Sequence, residues 1–484
     1  MLRVRMSIAF AGVAAAMSSP ASAGWIQSFG QSERCIALGG ACAAKADDFG
    51  AYYQNPAAAA SFQGAVVGGN LRIIDTTFVD LKDSAGNHEV DATNTEGEVV
   101  AAPTLAAYMP VTDQLTLGVG VGAPFAITAD WENDSGIHRF DMADQSLFVL
   151  DVTPMAAYKV TDRLLVGAGL NVVAFKQLRT QTLIPDSFVV ALPPALGGAG
   201  AIIPTTPNSP VVGSITIQSD RDVNLGIPPE WFEPSFDEFA VTLGMQYQVN
   251  DRLKIGAVYR SKTPVTFTGD LTLDLSPVGG GTQVVGYSTD IDMPAHLQVG
   301  FAYDVIPKKL NWSFDVQWTN WADAKGIGTP LVVSVDQPLL GFINDLQVDY
   351  SARNTFTFRT GLEYAVDDHW TLLAGYAYDQ SIFDDQHVDI LVYDSNRHLL
   401  SAGIMYDTRD NTAEAGWTTN LGIHATIYED RNIAAGESQN LGGLSLPVLV
   451  DGDTLGFSPN REPFGYGGAI LAAGVSLQYS FGAH

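Results

Sequence analysis

Few residues of this chain stand in patterns that support bond-breaking chemistry. Its eight histidines are scattered, and the sequence contains neither Gly-x-Ser-x-Gly nor His-Glu-x-x-His, so no motif brings a nucleophile, a base and an orienting group together. The two cysteines, Cys35 and Cys42, are too few for a cysteine-based zinc cage. The chemistry that is left is reversible binding. We therefore predict that the protein is not an enzyme and that it uses no cofactor.

The composition restricts the elements that could position binding residues. Of the 484 residues, 46% are hydrophobic and only 16% are charged, and 48 are glycine; this is enough apolar material to argue against disorder. Lys and Arg number 25 against 53 Asp and Glu, which gives a net charge of −28. A chain this acidic is poorly suited to neutralise phosphates, so a nucleic-acid partner is implausible.

The N-terminus predicts export from the cytoplasm. Residues 1–23 have a basic start, a short apolar stretch and the small-residue ending Ala21-Ser22-Ala23, which is the pattern of a cleaved signal peptide. No later segment supplies 18 uninterrupted apolar residues, and the nearest, 189–204, contains Pro193 and Pro194, which would break a helix. Such a chain fits a periplasmic protein, a secreted β-protein or an outer-membrane barrel.

Alternating strands joined by short Val-x-Asp turns recur along the chain. Such turns stand at 111–113, 160–162, 249–251 and 366–368; Asp and Asn favour turns, and period-2 alternation is typical of half-buried strands. Short turns on one side and long, acidic connections on the other are typical of a bacterial outer-membrane barrel. The pattern predicts fourteen strands, near residues 62–75, 98–109, 115–129, 146–159, 163–180, 236–249, 251–270, 288–304, 309–320, 352–366, 369–382, 396–407, 417–428 and 468–481.

Alternation alone does not separate a membrane barrel from a soluble β-sandwich or propeller. In residues 310–319, Leu, Trp, Phe, Val and Trp alternate with Asn, Ser, Asp, Gln and Thr. Aromatic residues such as Trp370, Trp417 and Tyr428 stand near strand ends, which suits the aromatic girdles of a membrane barrel. We therefore predict an all-β fold, a 14-stranded antiparallel transmembrane β-barrel over residues 62–484, in the outer membrane of a Gram-negative bacterium.

The third predicted strand carries a proline that should interrupt it. Pro124 has no amide hydrogen and cannot complete the ladder of a central strand, so we expect a local kink at Pro124 and Phe125. Gly118, Gly120 and Gly122 share one face of this strand. If that face lines the lumen, the three missing side chains leave room for a ligand path.

The segment before the first strand, residues 24–61, is dense in Ala and Gly and contains Asn55-Pro56-Ala57. With the Val-x-Asp hairpins, it resembles the N-terminal part of the FadL/TodX family, the outer-membrane transporters for long-chain fatty acids and aromatic hydrocarbons. The likeness covers essentially the whole mature chain. Further motifs that carry it are Ala-Pro-Phe at 123–125, Trp-Thr-Asn-Trp at 318–321 and Tyr-Ala-Tyr-Asp at 376–379.

The resemblance implies a mechanism as well as a fold. It implies that residues 24–61 form a hatch inside the barrel, to which Asn55, Pro56 and Ala57 belong, although Asn-Pro alone is also an ordinary turn starter. A hydrophobic molecule would be captured outside and would leave sideways through a gap at the kinked third strand, driven only by its gradient. The implied partners are this ligand, outer-membrane lipid and lipopolysaccharide, and the protein would be a monomer.

Four side chains are candidates for ligand binding in the lumen. Alternation points Phe175 and Arg179 inward in the fifth strand, and Arg260 and Arg359 take inward positions in theirs. An inward arginine would hold a fatty-acid carboxylate, whereas a neutral hydrocarbon would need none. For Arg359 we favour a different role, an ion pair with Glu363 on the same face.

A disulfide between Cys35 and Cys42 is permitted in an oxidising compartment. In a continuous helix their Cα atoms would lie about 10 Å apart, beyond the limit of roughly 7 Å for a bridge. The bond therefore requires a bend, which Gly39-Gly40 could supply. Both the bridged and the free state are open at this stage.

Three other functions fit parts of the sequence. A general porin would have no reason to carry the long segment before the first strand. An outer-membrane hydrolase would need a catalytic motif. An adhesin or a passive structural barrel would differ from a transporter in its conductance and in the ligand that purifies with it.

Overall fold

The computed structural model describes residues 27–82, 89–91, 99–130, 143–186, 210–219, 235–339, 343–388, 394–409, 415–434, 437, 447–450, 453–456 and 464–482. The predicted signal peptide (1–23), the first three residues of the predicted hatch (24–26) and the apolar stretch 189–204 lie outside the described residues. The signal peptide and the domain boundaries that depend on it stay predictions.

Fourteen antiparallel strands form a closed barrel, as predicted. Each strand pairs with the next, and the last pairs with the first, which closes the ladder of backbone hydrogen bonds. The strands are β1 (Val66–Lys82), β2 (Val99–Pro110), β3 (Leu115–Asp130), β4 (Asp144–Lys159), β5 (Leu164–Pro185), β6 (Ser235–Asn250), β7 (Leu253–Arg260), β8 (Ala295–Ile306), β9 (Leu310–Asn320), β10 (Thr355–Ala365), β11 (Trp370–Asp379), β12 (Arg397–Asp407), β13 (Gly416–Ile433) and β14 (Phe464–Ser480).

The barrel turns its apolar side chains outward and its polar side chains inward. In β9, Trp312 is 38% exposed on the outside, whereas Asp315 and Gln317 on the other face are buried. In β14, Leu477 is exposed and Ser476 is buried in the same way. A soluble sandwich would bury the apolar face instead, so this arrangement is the one expected of a barrel in lipid.

The two ends of the barrel differ in the length of their connections. Tight turns join β2 to β3, β4 to β5, β6 to β7, β8 to β9 and β10 to β11, all at one end. The connections at the opposite end are longer, and several carry additional strands. Since bacterial barrels have short periplasmic turns and long extracellular loops, the tight-turn end faces the periplasm.

Five strands in the long connections form an extension of the barrel wall, here called the loop sheet. They run in the order 211–219, 266–274, 282–290, 331–339 and 343–348, and the first also pairs with the end of β5. The prediction of one strand over 251–270 was wrong in part, because β7 ends at Arg260 and Thr266–Asp274 belongs to the loop sheet. A strand within the predicted loop 181–235 was missed.

Apolar side chains fill the extracellular end of the barrel. One buried cluster joins inward residues of the wall, such as Phe125 and Val149, to the inner face of the loop sheet, which carries Ile217, Leu271 and Val333. The alternation of these loop-sheet strands leaves one apolar face to pack over the barrel mouth. Above the hatch, the barrel is therefore lined by hydrocarbon rather than by the polar wall of an open pore.

The described part of the predicted hatch, residues 27–61, lies inside the barrel. It contains two short helices, α1 (Glu33–Ala37) and α2 (Ala51–Gln54), followed by a 3-10 helix, Pro56–Ser61. Ser32 caps α1 through its side chain, which accepts from the Cys35 amide. Among the described residues, no helix is long and apolar enough to cross a membrane.

Candidate functional site

Charged side chains fix the larger part of the hatch, residues 32–61, to the wall; we call this part the anchored segment. Glu33 is fully buried and pairs with Arg72 of β1 at 2.9 Å (Oε1 to Nε). Arg34 pairs with Glu363 of β10 at 2.7 Å, and Lys45 binds the other oxygen of the same carboxylate. Breaking a buried pair by removing one partner typically costs about 3–5 kcal/mol. These pairs therefore hold α1 and the segment after it firmly in the lumen.

Asp47 strengthens the same charge cluster from within the hatch. Its carboxylate contacts the Arg34 guanidinium. The Asp47 side chain is 44% exposed at its surface. Desolvation inside the barrel raises the pKa of Asp47, but the charges of Arg34 and Lys45 outweigh that effect and hold the pKa below its usual value. Asp47 is therefore ionised wherever the cluster is intact, and Arg34 is shared between a hatch carboxylate and a wall carboxylate.

The Asn55-Pro56-Ala57 motif anchors the C-terminal part of the hatch. The Asn55 amide nitrogen donates to the carbonyl oxygens of Ala43, Met245 and Ala257, at 2.6, 3.0 and 3.3 Å. Its Oδ1 accepts from the Ala57 amide at 3.1 Å and so caps the 3-10 helix. Asn55 thus joins two hatch segments to β6 and β7, which is more than the turn-starting role that the dipeptide alone suggests.

Cys35 and Cys42 form a disulfide in the structure, with their Cα atoms 6.0 Å apart. Helix α1 ends at Ala37, and Gly39 and Gly40 follow with φ of +66° and +79°. This left-handed backbone suits glycine and supplies the bend that a continuous helix would lack. A Cβ at Gly39 would also lie 2.5 Å from the Tyr376 carbonyl oxygen, so the bend rests directly against β11.

The wall of the barrel is interrupted beside β3. The register of β3 against β4 shifts between Gly122 and Phe125, at the two residues that include Pro124. On its other side, β3 pairs with β2 only from Thr116 to Val121. Within the described residues, the upper parts of β2 and β3 share no ladder pairs, since Val99–Thr104 of β2 pair with β1 alone. We call this opening the β2–β3 gap.

Residues 27–31 of the hatch close the β2–β3 gap; we call them the edge segment. Gln27 forms a bridge with Phe125, and the Ser28 amide donates to the Pro124 carbonyl oxygen at 2.9 Å. The Gln31 side chain spans the opening: its Nε2 donates to the Ala123 carbonyl oxygen at 3.1 Å, and its Oε1 accepts from Thr104 of β2 at 3.0 Å. The edge segment has no charged residue.

The three glycines of β3 do face the lumen, but the expected ligand path is occupied. A Cβ at Gly118 would meet the Tyr108 ring at 2.4 Å, and one at Gly120 would meet the Tyr52 ring at 2.2 Å. A Cβ at Gly122 would meet the Tyr52 hydroxyl and Gln31. The missing side chains therefore make room for the hatch at Gly120 and Gly122, and for Tyr108 of β2 at Gly118. A path along this face would require the hatch to move.

Arg260 and Arg359 point inward and contact the hatch. Arg260 pairs with Asp151 at 3.4 Å, and its guanidinium carbon lies 4.6 Å from the centre of the Tyr53 ring. Arg359 donates to the Phe29 carbonyl oxygen at 3.1 Å and to Gln317 at 2.8 Å. The favoured pairing of Arg359 with Glu363 was wrong.

Alternation places Arg359 and Glu363 on the same face but does not choose their partners. Arg34 and Lys45 from the hatch lie closer to Glu363 and take up both of its oxygens. Arg359, four residues nearer the extracellular end of β10, contacts the edge segment instead.

Phe175 and Arg179 do not face the lumen, contrary to the alternation in β5. Ala174 is an extra residue between the pairs Val173–Asp151 and Phe175–Leu150, and this bulge reverses the faces of all residues after it. Phe175 packs with Leu150 and lies beside the outward Val121 and Val152. Arg179, on the same face as Phe175, pairs with Asp144 at 2.8 Å and is 43% exposed.

A cavity of about 660 Å³ opens at the periplasmic end, beneath the hatch. It is lined by Phe62 at the end of the hatch and by inward wall residues such as Leu165, Gln246 and Lys254. The anchored segment separates this vestibule from the β2–β3 gap. Among the described residues, no group of three or more His, Cys, Asp or Glu side chains could hold a metal ion.

Sequence reasoning missed Gln31, which spans the gap, and Tyr52, which fills the lumen face of β3. Their contacts join positions far apart in the chain, such as Gln31 with Ala123. One signal was available: three glycines on one face of β3 must be matched by bulk from elsewhere, and the aromatic Tyr52-Tyr53 of the hatch could have supplied it.

Residues 12–458 match the family described as outer membrane protein transport protein (OMPP1/FadL/TodX). The chain belongs to this family. It is therefore an outer-membrane transport protein of the FadL/TodX type, which confirms the resemblance, the location and the broad function expected from the sequence.

Curated relatives agree with this assignment. Outer membrane protein P1 of Haemophilus influenzae is 25% identical over 361 residues, which cover 70% of this chain and 71% of the relative. The long-chain fatty acid transport protein of Escherichia coli K12 is 22% identical over 79% of this chain and 84% of its own length.

Solved structures show the same fold. A FadL homologue of Pseudomonas aeruginosa superposes with a TM-score of 0.70 at 18% identity and covers 95% of this chain and 100% of its own. The toluene transporter TodX of Pseudomonas putida gives a TM-score of 0.64 at 20% identity, with 94% and 99% covered.

Proposed function

We propose that this member of the family takes up hydrophobic small molecules passively, without breaking bonds, and releases them sideways through the β2–β3 gap. The observation that carries the proposal is that this opening in the wall is closed by five uncharged hatch residues and bridged by one glutamine side chain. The buried apolar cluster at the extracellular end supports an apolar cargo, because it offers hydrocarbon surface above the hatch.

Relatives suggest two classes of cargo, long-chain fatty acids and aromatic hydrocarbons such as toluene. Arg359 offers a way to distinguish them. Its guanidinium lies 5.5 Å from the centre of the Phe29 ring and binds the Phe29 carbonyl oxygen. When the edge segment leaves the gap, Arg359 loses these partners, and its guanidinium can then donate hydrogen bonds to a fatty-acid carboxylate. A neutral hydrocarbon would not need Arg359. Arg260, which contacts Tyr53, is the second candidate.

The protein acts as a monomer in contact with lipopolysaccharide. β14 pairs with β1, and the edge segment covers the upper edge of β3, so within the described residues the wall is completed without a second copy. The periplasmic turns and the apolar outer belt set the barrel across the membrane with the loop sheet outside, where lipopolysaccharide surrounds it.

A disulfide that locks the edge segment tests the proposal. Gln27 and Phe125 are bridge partners, so Cβ atoms at these positions lie close enough for a bond in the Gln27→Cys/Phe125→Cys variant. The matched control, Leu421→Cys/Val475→Cys, joins two outward register partners on β13 and β14. Uptake of labelled oleate and toluene is measured in cells that lack their own transporters.

We expect the oxidised lock to abolish uptake, a reductant to restore it, and the control to transport in both states. Wild-type protein treated with the same reductant shows any effect of opening Cys35–Cys42. Undiminished uptake through the oxidised lock would contradict lateral release. If wild type raises the uptake of neither probe, the transport of hydrophobic molecules itself is wrong for this chain.

A further inference from the structure

A groove of about 630 Å³ lies on the outer surface of the barrel, where β13 meets β14. Ile427 and Leu471 form its sides and are 39% and 40% exposed on the lipid-facing surface. Tyr428, Gly468 and Ala469 complete the apolar part, and Asp430 lies at its extracellular end. The groove is thus continuous with the belt that the barrel presents to lipid.

The groove is built into the backbone of three strands. The register of β14 shifts against β13 between Tyr428 and Arg431, and it shifts against β1 between Asp75 and Phe78, at nearly the same height. Such bulges bend a strand and disturb its ladder. The residues of β14 there are small: Gly468 has φ of +101°, and a Cβ at Gly467 would lie 2.1 Å from an Asp430 oxygen.

The groove lies at the extracellular edge of the lipid belt. Trp417 is 50% exposed near the periplasmic start of β13, where it packs on Tyr479 in the inner aromatic girdle. Ile427 stands ten residues further along the strand, which at the usual rise and tilt is about 26 Å higher, against about 25 Å for the apolar band of such barrels. Acyl chains of the outer leaflet meet their head groups at this height.

The floor of the groove is firmly packed from inside. The side chains of Tyr428, Tyr466 and Ile470 belong to the buried apolar cluster of the extracellular end. Tyr466 also donates to the Asp394 carbonyl oxygen. A shallow groove with a rigid floor loses little entropy when a chain settles along it, and this favours binding over loose lipid contact.

We propose that this groove binds one acyl chain of lipid A, the lipid of the outer leaflet. The site goes beyond the transport function, because its occupant is a structural lipid and not cargo. The apolar sides hold the chain, the small residues of β14 let it approach the backbone, and Asp430 stands where the head group and its bound cations begin.

Ala469→Phe tests the site, because Ala469 faces outward and its larger ring would fill the groove. Ala473→Phe is the matched control: Ala473 lies four residues along β14 on the same outward face but does not line the groove. Leu471→Ser is a second variant; it removes the apolar side chain on one side of the groove without filling the groove. Purified lipid A is titrated into detergent-solubilised protein, and phosphatidylethanolamine is titrated in a separate experiment. Native mass spectrometry then gives the number of lipid molecules bound to each barrel.

We expect wild type and Ala473→Phe to retain one lipid A tightly, Ala469→Phe to bind it at least tenfold more weakly, and Leu471→Ser to be intermediate. Heat-dependent migration on gels checks that each barrel is folded. If Ala469→Phe does not fold, Leu471→Ser decides alone. Unchanged lipid A binding in the folded variants, no retained lipid in wild type, or equal retention of phosphatidylethanolamine would each overturn the proposal.

Discussion

The anchored segment and the edge segment of the hatch contact the same barrel wall through different chemistry. The anchored segment binds through buried ion pairs at Glu33, Arg34 and Lys45 and through the two hydrogen bonds that Asn55 donates to β6 and β7. The edge segment has no charged residue and makes no ion pair: it binds through hydrogen bonds, one of them donated by Arg359 to the Phe29 carbonyl oxygen, and through the Phe29 ring, which packs on Ala377 and Leu399. A neutral hydrogen bond typically contributes about 0.5–1.5 kcal/mol, well below the cost of breaking a buried pair.

If cargo leaves through the β2–β3 gap as proposed, this difference predicts which part of the hatch moves. A cargo molecule that gains contacts in the β2–β3 gap has to replace the hydrogen bonds and the Phe29 packing of residues 27–31, including the bond from Arg359, but it breaks no ion pair. Moving residues 32–61 would separate buried charges. On the proposed route, the barrel would open its side while its bore stays closed to water and ions.

Breaking the anchored segment should have the largest effect. Glu363→Gln leaves Arg34 and Lys45 without their wall carboxylate, and we expect a loss of about 3–5 kcal/mol in the free energy that holds the hatch. Planar-bilayer recordings should then show large openings at least a hundred times more often than in wild type. Asp407→Asn, which removes the partner of Arg409 at the barrel end, is the control and should stay closed. A closed Glu363→Gln barrel would show that these pairs do not anchor the hatch.

Removing the disulfide should have a smaller effect on the same measurement. Cys35→Ser/Cys42→Ser frees the bend at Gly39-Gly40 and should cost about 2 kcal/mol, because the closed loop is short. Openings should increase about thirtyfold. When unreduced wild-type protein is treated with an alkylating agent, mass spectrometry should find Cys35 and Cys42 unalkylated because they are bridged. Alkylation of either cysteine would contradict the bond.

Changing the edge segment should have the smallest effect, and it should alter cargo uptake rather than conductance. Gln31→Ala removes the side chain that spans the gap and should cost about 1 kcal/mol. We expect oleate and toluene uptake to rise several-fold while conductance stays at the wild-type level. Gln63→Ala, an exposed glutamine at the end of the hatch, is the control. A rise in conductance would show that the two segments are not independent.

Local patterns predicted the barrel better than they predicted the site. Period-2 alternation and Val-x-Asp turns located the fourteen strands, and the missing amide of Pro124 located the break in β3. The extra residue at Ala174 has no local signal, and it reversed the faces of Phe175 and Arg179. The partners of Glu363 lie more than 300 positions away in the chain. A pattern that fixes the face of a residue does not choose between such distant partners.

The route of the cargo is the central claim, and photolabelling tests it most directly. A long-chain fatty acid with a diazirine near its tail is added to cells, irradiated, and mapped by mass spectrometry of the purified barrel. Lateral release predicts labels on residues 102–105 of β2, on 123–125 of β3 and on the edge segment. Labels on Phe62 and Leu165 in the periplasmic vestibule, with none beside the gap, would contradict it.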